Sequence, residues 1–390
     1  MSHAKEFDII VFGASGFTGR LVAEYLAAHQ EDGQPVAWAM AGRNAEKLAA
    51  VRDEMGIATD IPLIVADTDD PSSLASMATR TACVLSTVGP YALYGSNLVA
   101  ACVEAGIGYV DLTGEPLWMH EMIAKHEAAA KVSGARIVFS CGFDSIPFDL
   151  GVFALQQVAQ GELGHPVSRV KCRVRSMNGE FSGGTAASLN TTMAMLGKDP
   201  SLIEVLTNPF CLTAKKTGPV QPDGNAVAFD EARGEWLAPF IMAPINTKNV
   251  HRSNALLGHA YGEDFVYDEM MIAGKGDEGK AIAEFVASHN PLQGDNVPKP
   301  GEGPSRESRE AGNYDVLFIG DDGGRELHYA VSGDMDPGYG STSKMISQAA
   351  LCLVRDCADL AGGIYTPAPA MGEKLITRLV NHAGLSFRRE

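Results

Sequence analysis

Phe7-Asp8-Ile9-Ile10-Val11-Phe12-Gly13-Ala14-Ser15-Gly16-Phe17-Thr18-Gly19-Arg20-Leu21-Val22 decides the fold. The apolar run Ile9–Phe12 reads as a buried strand that stops on glycine. Leu21, Val22, Tyr25 and Leu26 then recur at helical spacing. Between the two lies a turn with glycine at every third position. Gly13 lets the strand reverse sharply, Gly16 lets backbone approach a ligand, and Gly19 lets the helix pack close to the sheet. The N–H groups at the start of the helix face outward, and the helix dipole favours an anion there. Ser15, Phe17 and Thr18 complete the turn. A strand, this turn and a helix together predict a pyrophosphate-binding site for a dinucleotide; the alternative is a tight turn with no ligand.

The same alternation continues outward. Strands are predicted at 36–42, 62–66, 83–88, 109–112 and 136–140. Helices are predicted after Asn44, over 96–105 and over 116–133. Alternation at this pace implies a parallel sheet covered on both faces. After about residue 150 the pattern changes. Residues 147–160 read as a helix. Residues 168–176 alternate strictly, with Val170, Cys172 and Val174 on one face and Arg169, Lys171, Arg173 and Arg175 on the other. Residues 256–272, 314–320 and 325–333 read as further strands of an antiparallel sheet. Residues 290–313 read as an exposed loop, and 341–360 and 374–383 as terminal helices. The expected organisation is a dinucleotide-binding domain over 1–150, an α+β substrate or dimerisation domain over 151–335, and a helical return over 336–390.

The end of the second strand selects the dinucleotide. NAD sites favour a carboxylate there, on the ribose hydroxyl. This chain has Ala41-Gly42-Arg43-Asn44. Arg43 offers a fork of donors suited to a 2′-phosphate, with Asn44 beside it and Lys47 one turn on. NADP is therefore expected over NAD. Asp67, after the third strand, is a candidate contact for the adenine, with a plain loop carboxylate as the alternative. Thr87, Val88, Gly89 and Pro90, after the fourth strand, are placed at the nicotinamide half. Tyr91, Tyr94 and Asp144 are the candidate proton donors, since all three fall on segments at the carboxyl edge of the sheet.

Composition narrows the partners. The chain has 390 residues, of which 42 are glycine, and a formal charge of −17. A uniform acidic balance argues against nucleic acid and anionic membrane as main partners. Seven scattered cysteines with no CxxC pair point to a reducing, cytoplasmic setting and no structural zinc. No apolar run reaches the roughly 18 residues that a membrane span needs, and the polar start predicts no secretory leader. The ten histidines show no metal spacing. No tyrosine has a lysine four residues on. Ser341–Lys344 and Lys216–Gly218 imitate β-lactamase motifs, but in reversed order. Ser182-Gly183-Gly184-Thr185 precedes a predicted helix and can hold an anion or a carbonyl, or simply cap that helix.

With these segments in hand, the chain resembles the saccharopine-dehydrogenase-like oxidoreductases, in the branch of the trans-acting enoyl reductases. The resemblance rests on GASGFTG from Gly13, STVGPYALYG from Ser86, YVDLTGE from Tyr109, CGFDSIPFDLG from Cys141, SGGTAAS from Ser182, DPGYGSTSKM from Asp336 and GGIYTPAPAMGEKL from Gly362. It spans nearly the whole chain. It implies a Rossmann domain with an inserted α+β domain, NADP as cofactor, and hydride transfer to a C=C or C=N bond of a small-molecule or acyl-chain substrate. Saccharopine reductases proper carry a Gly-Leu-Asp-Pro-Gly type of sequence where this chain has Gly142-Phe143-Asp144-Ser145-Ile146-Pro147. An amino-acid oxidoreductase and a non-catalytic NADP-binding protein stay open beside the enoyl reductase. Exposed strand edges allow a homodimer.

Overall fold

Strand–helix alternation over the first 140 residues builds six strands of a seven-stranded parallel sheet, and Gly363–Tyr365 adds the seventh. Its order is Gly363–Tyr365, Arg136–Val138, Gly108–Asp111, Thr81–Ser86, Phe7–Phe12, Trp38–Gly42 and Leu63–Val65. The fold is taken from a computed structural model, which describes residues 5–31, 33–180, 183–290, 292 and 301–390. Phe7–Phe12 pairs in parallel with Trp38–Gly42 on one side and with Thr81–Ser86 on the other. The direction of winding reverses there, which opens a crevice beyond the carboxyl ends of the two strands. Ile9, Ile10, Val11, Val84 and Leu85 are fully buried, as expected of strands covered on both faces.

A second sheet of seven strands runs Ala228–Asp230, Glu235–Pro239, Val266–Gly274, Arg169–Asn178, Asn313–Asp322, Arg325–Gly333 and Leu385–Arg389. Only Val266–Gly274 and Arg169–Asn178 pair in parallel; the remaining pairs are antiparallel. The molecule is therefore an α/β protein with a Rossmann-type sheet and a mostly antiparallel second sheet. Helix Thr342–Arg355 returns to lie against Thr81–Ser86, Gly108–Asp111 and helix Phe17–Ala28. The chain does not end on a helix, because Leu385–Arg389 joins the second sheet beside Arg325–Gly333.

Several local expectations are corrected. Residues 256–272 are not one strand: a helix spans Ala243–Leu256 and the strand begins at Val266. That helix buries Asn246, Lys248, Asn249, His251, Arg252, Ser253 and Asn254, so its inward face reads as polar and hides its periodicity. The basic face of Arg169–Asn178 is largely paired within the fold. Arg169 and Arg173 both bond Asp268, and Arg175 bonds Asp315 and Glu390 at 2.8 Å. Within residues 290–313, Arg306–Ala311 form a helix capped by Ser305, while Pro291 and 293–300 lie outside the described residues. Ser182 of the glycine-rich tetrad also lies outside them; helix Gly183–Lys198 begins one residue later.

Candidate active site

The glycine-rich turn has the shape its spacing predicts. Gly13 sits at φ +91°, and a Cβ there would stand 2.6 Å from Val88 Cγ2 and 2.8 Å from Thr87 Oγ1. A Cβ on Gly19 would stand 2.1 Å from the Gly13 carbonyl oxygen, so glycine alone lets the helix approach this closely. Gly16 is different: its Cβ would be 3.3 Å from the same oxygen and close to nothing else. The fold tolerates a side chain there, so any strict need for glycine comes from a ligand. Helix Phe17–Ala28 has no side-chain cap and no acidic residue in its first turn. Its leading N–H groups are thus left for an anion. Ser15 is half-buried beside them. These features fit the pyrophosphate of a dinucleotide.

The ribose end lies on the surface nearby. Arg43 is exposed and forms no ion pair among the described residues. Asn44 caps helix Ala45–Glu54 by accepting from the Lys47 N–H at 2.8 Å, which fixes Arg43 at the strand-to-helix corner. Asp67 is partly engaged by its own loop, accepting from the Asp69 N–H at 3.1 Å.

A cleft of about 1,230 Å³ opens from this turn towards the second sheet. It exceeds the roughly 300–1,000 Å³ of pockets for drug-sized ligands. It brings Gly16, Phe17, Thr18, Thr87, Gly89 and Pro90 together with Tyr91, Tyr94 and Asp144. Gly13, Ser15, Gly19, Arg43, Asn44, Lys47, Asp67 and Val88 do not line it. Thr87 Oγ1 lies 3.3 Å from the Phe12 and Gly13 carbonyl oxygens and ties the fourth strand to the turn. Leu93, Leu189, Met193, Leu206, Ile241 and Met242 supply an apolar wall.

The three candidate acids separate on contact with the geometry. Tyr91 is buried; its hydroxyl donates to the Ser86 carbonyl at 3.2 Å and accepts from the Leu112 N–H at 3.1 Å. Burial also lifts it well above the ordinary tyrosine range. These two bonds make it a strut between strand ends. Tyr94 is 39% exposed at the cleft. Asp144 is half-buried on the cleft wall, and loss of water around its carboxyl pushes it up to about 7. A carboxyl in that range carries a transferable proton at neutral pH.

The cleft also contains residues that no local signal revealed. Glu115 is buried, accepting from the Tyr91 and Ala92 N–H groups at 2.8 and 2.9 Å and from Ser188 Oγ at 2.7 Å. It thereby ties helix Gly183–Lys198 to the sheet edge. Its one sequence trace is the end of YVDLTGE. Glu269 is fully buried and pushed up to about 8 by desolvation, although Asn246 and Tyr267 both donate to it. Lys248 and His251 project from the polar helix; burial lowers the lysine and brings the histidine down to about 3, so its ring is neutral. Asp336 caps the turn Pro337–Ser341 through the Tyr339 and Gly340 N–H groups, and Tyr339 meets the Phe17 ring edge-on at 5.2 Å. Among the described residues no cluster of His, Cys, Asp or Glu could hold a metal, and no helix is long and apolar enough to cross a membrane.

Comparison with known proteins agrees with this architecture. Residues 9–138 match the family described as the saccharopine dehydrogenase NADP binding domain. A Mycobacterium tuberculosis protein provisionally named a trans-acting enoyl reductase is 40% identical, over 98% of this chain and 97% of its own length. The trans-acting enoyl reductase of Mycobacterium ulcerans is 38% identical over 97% and 96%. Among solved structures, the apo saccharopine dehydrogenase (L-Glu forming) of Saccharomyces cerevisiae superposes with a TM-score of 0.53 at 12% identity, covering 98% of this chain and 99% of that one. That likeness speaks for the fold alone. The chain thus belongs to the saccharopine-dehydrogenase-like family, together with the trans-acting enoyl reductases, and is an NADP-dependent oxidoreductase.

Proposed function

We propose that this protein reduces the C=C bond of an α,β-unsaturated acyl thioester, acting in trans on a chain carried by another molecule. The observation that carries the reading is the composition of the cleft. It is large and has an apolar wall. Among the described residues its lining includes no arginine, and Lys248 is its one lysine. A saccharopine-type substrate, with several carboxylates, calls for several cations in a compact pocket. This cleft instead places the carboxyls Glu115, Asp144, Glu180, Asp268 and Glu269 on its wall, and none of them offers a cationic partner to such a substrate.

The cofactor contacts belong to the same proposal. The free N–H groups at Phe17 and Thr18, over Gly16 and beside Ser15, take the pyrophosphate, with Gly13 and Gly19 shaping the turn. Arg43, with Lys47 and Asn44, takes the 2′-phosphate, and Asp67 borders the adenine. Thr87, Val88, Gly89 and Pro90 border the nicotinamide. Bound NADPH supplies the hydride. Asp144 delivers the proton to the α-carbon, and Tyr94 is the second candidate for that step. The cofactor unit is assigned to residues 1–150 plus the returning helices after 336, and the substrate unit to 151–335 with the strand Leu385–Arg389 added. The seven cysteines are all free and buried, which supports a reducing cytoplasmic location. A homodimer is proposed through the edge strand Ala228–Asp230 of the second sheet, where Phe229 is exposed; light scattering of the purified protein checks it.

The test is NADPH consumption with a panel of crotonyl thioester, saccharopine-type imine (an α-amino acid with an aldehyde) and ketone. Turnover with the thioester alone supports the reading. Turnover with the imine alone replaces it with the amino-acid class.

A further inference from the structure

Helix Ala243–Leu256 lines the cleft with Ala243, Pro244, Ile245, Thr247, Lys248 and His251, and all but Ile245 fall in one stripe. This spacing is one face of an α-helix. Lys248 is only 4% exposed. Its Nζ donates to the Pro244 carbonyl at 2.9 Å, one turn back in its own helix. An ammonium has three N–H donors, so this contact uses one of them.

No carboxylate among the described residues forms an ion pair with Lys248. Asp268 shares the cleft wall but is held by Arg169 and Arg173. Glu269 is engaged by Asn246 and Tyr267. His251, one turn on, is neutral and adds no charge of its own. A buried cation without a counter-charge is costly. The cost is recovered where a ligand brings the missing negative charge into the same dry space.

We infer that Lys248 holds the carbonyl oxygen of the acyl thioester and stabilises the enolate that forms on it. The inference rests on the enoyl-reductase reading. Hydride addition at the β-carbon forms a C–H bond and breaks the C=C π bond. That electron pair shifts to join the α-carbon to the carbonyl carbon, and the carbonyl π pair moves to oxygen. The oxygen now carries a full negative charge beside the Lys248 ammonium. The enolate then reforms C=O as the α-carbon takes the Asp144 proton. The substrate gains one hydride and one proton, NADPH becomes NADP⁺, and water reprotonates Asp144. Because Lys248 interacts more strongly with the enolate than with the neutral carbonyl, its effect falls on turnover more than on binding.

The experiment compares the full-length parent with Lys248→Met and Lys248→Gln, using crotonyl-CoA and NADPH. Lys248→Met keeps the length of the stem, and Lys248→Gln keeps a donor but loses the charge. Each is checked for parent-like NADPH binding by fluorescence, and a variant that binds as the parent does is the one that decides. Turnover is expected to fall about 100-fold, the scale seen on removing one oxyanion donor. The KM for crotonyl-CoA is expected to stay within about threefold, a change of less than 1 kcal/mol. Turnover within threefold of the parent, in a variant that binds NADPH, overturns the role of Lys248 and leaves the enoyl reading intact. A parent that reduces no enoyl thioester overturns the reading, and the role of Lys248 falls with it.

Discussion

Gly16 and Gly19 stand three residues apart in one turn, yet alanine is expected to act on them in different ways. At Gly19 a Cβ would lie 2.1 Å from the Gly13 oxygen and 2.9 Å from the Ala14 Cα. An ordinary C···O approach is about 3.3 Å, so the helix would have to withdraw by about 1.2 Å. Overpacking of this kind costs about 1–3 kcal/mol, or roughly 2–4 °C of melting temperature per kcal/mol in a large domain. Withdrawal also carries the helix N–H groups away from the pyrophosphate, so NADPH affinity falls as well. At Gly16 the nearest atom to a Cβ is 3.3 Å away, and the backbone is extended at φ −80°. Gly16→Ala should therefore leave stability within about 1 kcal/mol of the parent. Its methyl would occupy the space assigned to the phosphates, and NADPH affinity should fall at least about tenfold, or 1.4 kcal/mol. Calorimetry with and without NADPH measures both quantities. A Gly16→Ala protein that binds NADPH as tightly as the parent would refute the assignment of the pyrophosphate to this turn.

Other expectations follow from the same geometry. Arg43→Ala should erase most of the preference for NADPH over NADH, and equal affinities of the parent for the two would remove Arg43 from the 2′-phosphate. Asp144→Asn should lower turnover while NADPH affinity holds; unchanged turnover with a reducible thioester would exclude Asp144 as the acid. Asp111, Asp144 and Asp149 are raised to about 7 and Glu269 to about 8, all by burial. Between about pH 4 and 8 these four carboxyls bind more protons in the folded state than in the unfolded chain and outnumber His251, which works in the opposite direction, so stability should decline as pH rises through that window. A melting temperature that climbs from pH 6 to pH 8 would contradict this. Arg173→Ala breaks a buried pair with Asp268, in which both side chains are 6% exposed. Because Asp268 keeps Arg169, the variant should destabilise by about 1.5–3 kcal/mol, as read by denaturant titration.

Much of the dinucleotide half is legible in the sequence, because its signals are local. Ile9–Phe12 and Leu21–Leu26 declare strand and helix by periodicity alone, and the glycines between them mark the turn. Arg43 is legible for the same reason, being fixed by its distance from a strand end. The cleft is harder to read. Lys248 and His251 sit on a helix whose buried face is polar, so the apolar stripe that identifies helices is missing. Glu269 and Asp268 lie on a strand whose importance emerges only when it pairs with Arg169–Asn178, almost 100 residues away. Tyr91 follows a Gly-Pro turn at the right edge of the sheet, and the sequence gives no sign that backbone groups would claim its hydroxyl. Each of these depends on contacts between distant segments, which spacing along the chain does not encode.

The central claim is that hydride from NADPH reaches a C=C bond in this cleft. NADPH deuterated at the transferable position, incubated with the protein and a crotonyl thioester, tests it most directly. The account predicts a butyryl product with one deuterium at the β-carbon and a solvent-derived proton at the α-carbon. An unlabelled thioester, recovered beside an imine substrate that has taken up the deuterium, would contradict it.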